Sequence, residues 1–233
     1  MKINLFTTLY RDKNILRQNE IETCLLENIL NSEIDKVIVV IDCQSLFYGV
    51  RSNTLKTIQK ILEEPNSKAN ALYTNKRPTF NDYFSYTEDF VNDINIIANS
   101  DIIFDSNSLI RLRKWNWKNH CLALSRYDIQ NVSNLYSGKL FARADSQDAW
   151  IVKGSFPKII DANFTMGVAG CDNVIAHHLS KYYTIVNASL DIKIYHLHLT
   201  NVRNYIENGK IDEIVRLKPP YKLIQPICLP IEN

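Results

Sequence analysis

The stretch Ile94 to Asp105 reads INIIANSDIIFD. Mostly apolar residues run straight into Asn99-Ser100-Asp101, and apolar residues resume at Ile102. A short β-branched run of this kind predicts a buried strand in a sheet covered on both faces. In open α/β sheets, ligands bind beyond the carboxyl ends of the strands. Asp101 is therefore expected at the ligand edge of the sheet. Carboxylate oxygens there suit Mg²⁺ or Mn²⁺, hard cations that take oxygen ligands and share them with phosphates. Asn, Ser and Asp are also turn formers, so the same three residues read equally as a simple turn.

Working outward toward the N-terminus, Asp82 to Asp93 is predicted helical and feeds this strand. Leu72 to Thr74 reads as a short strand, and Thr54 to Glu64 as a helix ended by Pro65. Lys36 to Ile41 (KVIVVI) is the clearest strand, closed by Asp42. Before it, Asn14 precedes a helix reaching Leu30, with Ile15, Leu16, Ile21, Leu25, Leu26, Ile29 and Leu30 as its apolar stripe. Lys2 to Leu9 is the first strand, running into Thr7, Thr8 and Tyr10. Strand, helix, strand of these lengths is a βαβ opening, which requires a parallel sheet with a right-handed crossover.

Toward the C-terminus the texture changes. Leu109 to Arg113 reads as a short helix, and Cys121 to Leu124 (CLAL) as a buried strand ending in Ser125-Arg126-Tyr127. After a polar segment, Asp145 to Trp150 leads into Ile151 and Val152. Gly167 to Gly170 reads as a loop, and Asp172 begins a helix. Tyr183 to Val186 and Ile192 to His198 are the last strands. From about Ile206 the periodic pattern ends, and Pro219, Pro220, Pro226 and Pro230 predict an extended tail, or a linker to a further domain, over 207–233.

The 233 residues suit one domain with a substantial core, 45% hydrophobic and 22% charged. A net charge of +2 gives no ground for nucleic acid as a partner. Five cysteines without CxxC spacing point to thiols in a reducing compartment, hence a cytoplasmic protein. No window approaches a transmembrane span, and MKINLFTTLY is too short and polar for a signal peptide. Only six glycines occur, and neither GxGxxG nor GxxxxGK[ST] is present, which disfavours a dinucleotide oxidoreductase or P-loop NTPase.

The order of segments resembles the GT-A fold of nucleotide-sugar-dependent glycosyltransferases, in particular the inverting enzymes of family 2, over roughly residues 2 to 205. INLFTTLYRD, the long helix and KVIVVID are similar to the nucleotide-binding opening of that fold. IIANSDI resembles the strand that ends in an Asp-x-Asp metal motif. GCDNVIAHHLSKYYTIVN resembles the acidic motif whose acid is the catalytic base. YHLHLTNVRNY resembles the late strand where some members place a metal-binding histidine. Two residues depart from the pattern: Asn99 replaces the first acid of Asp-x-Asp, and Cys171 stands where a glutamate is usual.

The resemblance implies a single α/β GT-A-like (Rossmann-like) domain over 1–206, with a mostly parallel central sheet flanked by helices. It implies transfer of a sugar from a nucleoside diphosphate sugar, UDP-sugar favoured, to a glycan, lipid-linked or protein hydroxyl. Asp101, His196 and His198 would hold Mn²⁺ or Mg²⁺. Thr7, Thr8, Tyr10 and Asp42 would bracket the nucleotide, with Asn99 and Ser100 beside it. Arg77 would grip the phosphates, with Arg126 and Arg203 as runners-up. Asp172 would be the base, its other reading being a helix cap. Asp148 would be the alternative base, or would orient the acceptor, and Trp150 reads as core or as a sugar-stacking ring. A catalytically inactive binding module is the alternative function, supported by Asn99.

Overall fold

In the computed structural model, which describes residues 1–41, 47, 52–200 and 216–228, the expected central strand is β4, Ile94–Ala98. It is fully buried, with β1 (Ile3–Leu9) parallel on one side and β9 (Ala149–Lys153) antiparallel on the other. Strand periodicity explains its sequence. Ile94, Ile96 and Ala98 face one apolar cluster, which contains Ile21, Leu25 and Ile58, while Ile97 faces the other, which contains Phe80, Trp150 and Ile175. Each fully buried isoleucine contributes about 1.5–3 kcal/mol. The polar member, Asn95, is satisfied by Asn4 at 3.0 Å and by the carbonyls of Phe90 and Gly154.

The seven-stranded sheet has the order β10-β6-β9-β4-β1-β2-β3, with β2 at Lys36–Ile41, β3 at Ala69–Tyr73, β6 at His120–Leu124 and β10 at Thr184–Val186. Only β9 runs antiparallel, so the sheet is mostly parallel, as expected. Helices α1 (Ile15–Leu30) and α2 (Asn53–Glu63) cover the face of the first cluster; α3 (Phe80–Tyr86) and α5 (Cys171–Leu179) cover the face of the second. The helix expected over 82–93 stops at Tyr86. The capping box of Thr79 and Asp82 starts it early, and Thr87 turns its hydroxyl back to the Phe84 carbonyl at its end.

A second, four-stranded sheet was not foreseen: β5 (Ile102–Phe104), β11 (Ile194–Leu197), β7 (Tyr127–Ile129) and β8 (Lys139–Leu140), in that order. Its strands are too short to carry a visible period. Between β5 and the rest lies α4, Ser106–Arg113, capped by Asp105. On α1, Ile15, Leu16 and Leu30 are exposed, contrary to the apolar stripe, while Gln18, Glu20, Glu22 and Asn28 are buried. The polar side of this helix faces the seam between the two sheets.

The described part of the C-terminal segment is fastened to the domain. Leu217 N–H donates to the Ala169 carbonyl, Lys222 to Asn173, Ile224 to Ala144 and Ile227 to Asn187. The Ile224 side chain enters the second apolar cluster. Among the described residues, no helix is long and apolar enough to cross a membrane. The described cysteines Cys24, Cys121, Cys171 and Cys228 are free thiols.

Candidate active site

The seam between the sheets holds a chain of alternating charges built by strand register. In the second sheet His196 pairs with Ile102 on β5 and with Asp128 on β7, which brings Asp101 and Asp128 to its two sides. His196 Nε2 meets Asp101 Oδ2 at 3.0 Å, and Nδ1 meets Asp128 Oδ1 at 2.8 Å. Asp101 Oδ2 also accepts from Arg17 at 2.7 Å, and Arg17 bridges to Glu20 at 2.7 Å. At the other end Arg126 Nε donates to Asp128 at 2.9 Å, and Nη1 donates to both oxygens of Asp148 at 3.0 and 3.1 Å. The Arg126 guanidinium lies 4.5 Å over the Phe141 ring. The order is therefore Glu20, Arg17, Asp101, His196, Asp128, Arg126, Asp148, acid and base in alternation.

These contacts set the proton affinities. Burial alone would raise the Asp101 carboxyl, but His196 and Arg17 hold it well below the usual carboxylate range. Burial would lower His196, yet Asp101 and then Asp128 push it up to about 9. With an acceptor on each ring nitrogen the imidazole carries both protons. Asp128, despite its own desolvation, falls to about 2 under His196 and Arg126.

Asp172 lies in the first turn of α5 and behaves in the opposite way. Burial, then the charge of Asp148, push its carboxyl up to about 7, outweighing donation from the Cys171 thiol and the Gln147 N–H. Among the described residues no cation is paired with it. The N-cap of α5 is Gly170, at φ +83°, and no side chain caps that helix. Asp172 therefore is not a helix cap.

The other expected residues are placed as follows. Thr7, Thr8 and Tyr10 lie at the carboxyl end of β1, opposite Val39 and beyond, and the buried Thr7 hydroxyl has no hydrogen-bond partner among the described residues. Ser100 is buried. Asn99 donates its side-chain amide to Asp148 at 3.0 Å. Arg77 is not drawn into the charge chain: its guanidinium donates to the Met166 carbonyl at 2.6 Å and braces the loop before α5. Trp150 is 1% exposed and belongs to the core, so it offers no face to a sugar. The rings of His196 and His198 lie 5.3 Å apart on one face, as their spacing requires. Asp42 and Arg203 lie outside the described residues. Arg17, Glu20 and Asp128 were missed. Their signal was the dense polar run RQNEIE in an otherwise apolar helix, and an acid two residues beyond Arg126.

Among the described residues no cluster of three or more His, Cys, Asp or Glu forms a metal cage. A divalent ion that acts on phosphates needs no such cage, because one or two carboxylates and the substrate's own oxygens suffice. Asp101 fits that requirement through Oδ1, which is buried and has no hydrogen-bond partner among the described residues. His196 has no free ring nitrogen as it stands. It braces Asp101 where a ligand had been expected.

No family model matches the chain, and no curated protein matches it in sequence. Solved structures do match. A mannosyltransferase from Pyrobaculum calidifontis, in complex with GDP-Man and Mn²⁺, superposes with a TM-score of 0.53 at 11% identity, over 87% of this chain and 58% of that one. TarS residues 1-349 from S. aureus, in complex with UDP-GlcNAc, gives 0.51 at 14% identity, over 87% of this chain and 60% of that one. The chain thus shares the GT-A-like α/β fold of these two structures. The chain spans less than two thirds of the length of either structure.

Proposed function

We propose that the chain is a nucleotide-sugar-dependent glycosyltransferase, moving a sugar from a nucleoside diphosphate, UDP favoured, to a hydroxyl of a glycan, lipid-linked or protein acceptor. The observation that carries this reading is Asp172, a carboxyl with no paired cation among the described residues, pushed up to about 7 beside Asp148. A base of that affinity is matched to removing a hydroxyl proton near neutral pH. Asp148 is less suited to that task, since Arg126 takes both of its oxygens.

In this reading Asp172 accepts the acceptor's proton as its oxygen bonds to the anomeric carbon, and the bond to the nucleotide diphosphate breaks with its electron pair. A single attack assisted by one base inverts the anomeric centre. Asp101 Oδ1 would hold Mn²⁺ or Mg²⁺, with His196 bracing the other oxygen of that carboxylate and His198 beside the His196 ring; when bound, such an ion supplies Lewis-acid neutralisation of the leaving diphosphate. Thr7, Thr8 and Tyr10 line the nucleotide's end of β1. Free thiols at the described cysteines support a cytoplasmic setting.

Incubation with UDP-glucose, UDP-GlcNAc or GDP-mannose and Mn²⁺, scored for release of UDP or GDP, tests the reading. Turnover that is lost in Asp172→Asn supports it. Tight nucleotide binding with no turnover from any donor would favour the inactive binding module.

A further inference from the structure

Asn99 is where the chain departs from an acidic motif, and its surroundings explain that residue type. The antiparallel register of β4 and β9 pairs Ala98 with Ala149, which sets Asn99 opposite Asp148. The Asn99 backbone N–H donates to the Asp148 carbonyl at 3.0 Å, and its side-chain amide donates to Asp148 Oδ1 at 3.0 Å. From the far side, β6 pairs Leu124 with Ala149, and the Asp148 N–H donates to the Leu124 carbonyl at 2.8 Å. Arg126, just beyond that strand, donates to both oxygens of the same carboxylate. A carboxylate at position 99 would face Asp148 Oδ1 with no proton between them, and two like charges in contact are opposed. Asparagine keeps the shape and supplies the donor.

We propose that Asn99 is a positioning residue, which together with Arg126 fixes the Asp148 carboxylate to receive a hydroxyl of the acceptor. A carboxylate has roughly four lone-pair sites. Asn99 and Arg126 donate three hydrogen bonds to Asp148, leaving its Oδ2 one direction in which to accept. Asp148 then recognises the acceptor while Asp172 takes the proton. The inference rests on the transferase reading above, and it removes the main support for an inactive site: the lost acid is a gained donor.

The test uses Asn99→Ala, Asn99→Asp and the exchanged pair Asn99→Asp/Asp148→Asn. Probes are whichever of the three donors turns over, Mn²⁺, and p-nitrophenyl hexosides as acceptors. Asn99 acts on the acceptor only through Asp148, so losing its hydrogen bond costs no more than an ordinary one, and Asn99→Ala is expected to raise the acceptor KM about 3–10-fold, with the larger part of the effect in KM. Asn99→Asp raises it further and lowers Tm. The exchanged pair restores an amide–carboxylate contact but not acceptor KM, because the carboxylate has moved to position 99, and its Tm stays low, because Arg126 loses its buried partner at position 148. Equal acceptor KM in the Ala and Asp variants, recovery of acceptor KM in the exchanged pair, or an effect falling on donor or Mn²⁺ affinity would each overturn the proposal. The last outcome would make Asn99 a donor or metal contact. Wild-type chain that turns over none of the donors would refute the transferase reading before any variant is made, and with it the acceptor role.

Discussion

Two acids at neighbouring places in the fold, Asp101 and Asp172, live in opposite surroundings. Asp101 sits in the seam between the sheets against Arg17 and His196, and its carboxyl is held far down. Asp172 opens α5 with a thiol and a backbone N–H as its donors, and its carboxyl is pushed up to about 7. Asp101 is buried and Asp172 half-buried, and desolvation raises both carboxyls, so burial does not account for the difference; the presence of paired cations does. One environment makes a permanent anion and the other a group that trades its proton near neutrality. Pairs of acids driven apart in this way are the usual mark of divided roles.

The largest expected effect breaks the second half of that comparison. Asp172→Asn keeps the shape but cannot take a proton, so transfer falls by about 10²–10⁴-fold. Nucleotide binding measured by calorimetry stays within about twofold, a smaller change than the loss of one hydrogen bond would bring. A near-normal transfer rate in this variant would pass the role of base to Asp148. The anomeric configuration of the product is an independent check, since a retained centre rejects single-step attack assisted by either acid.

Asp101→Asn tests the first half. UDP affinity in the presence of Mn²⁺ is expected to fall about 10–100-fold, as the one open carboxylate oxygen becomes part of a neutral amide. The fold is strained as well, because Arg17 and His196 lose their shared anion. Removing one partner of a buried ion pair costs about 3–5 kcal/mol, so Tm drops clearly. Unchanged UDP affinity with and without Mn²⁺ would remove Asp101 from the metal site.

The two acids also differ in how visible their surroundings were. β1, α1, β2 and β4 could be read because their apolar runs are long enough to show a period, and their bounds match within a residue or two. Asp101 was named from its place at a strand end, and Asp172 from the resemblance of its segment to an acidic motif. The partners of Asp101 were not, because Arg17 comes from a helix 84 positions earlier, and His196 arrives through a sheet of strands as short as two residues. Nothing local in YDI or KL announces a strand. Buried polar residues on α1 defeat an apolar stripe for the same reason: their burial is repaid by partners distant in sequence. The acids were legible, whereas the long-range contacts that give each acid its character were not.

A smaller effect concerns the segment that closes over the start of α5. The end of the periodic pattern and the prolines predict an extended tail or linker, and within it residues 216–228 hydrogen-bond to Ala169 and Asn173, on both sides of Asp172. Removing the chain from Arg216 onward exposes Ile224 and frees those carbonyls. A loss of about 2–3 kcal/mol is expected from one buried side chain and its hydrogen bonds, a Tm drop of several degrees. Hydrogen exchange in α5 should rise more than in β1 or β2. Equal protection in both would show that the segment has no hold on the acid's helix.

The smallest effect separates the two acids by sign. The Asp172 carboxyl is near 7 when folded and about 4 when unfolded. Between those values the folded chain keeps a proton that the unfolded chain has released, so Asp172 makes stability fall as pH rises from about 4 to 7. Asp101 is depressed in the folded chain, so its contribution is present above about 4 and is lost on acidification below that value. Thermal melts of the wild type, Asp172→Asn and Asp101→Asn between pH 3 and 8 resolve both. Asp172→Asn should match the wild type near pH 4 and exceed its Tm by a few degrees at pH 7.5, since a protein that ionises an unpaired acid for function gives up stability to do so. Asp101→Asn should fall short of the wild type at pH 7.5 and converge with it in acid. If the two difference curves slope the same way, the acids share one environment, and the division into a fixed anion and a working base is wrong.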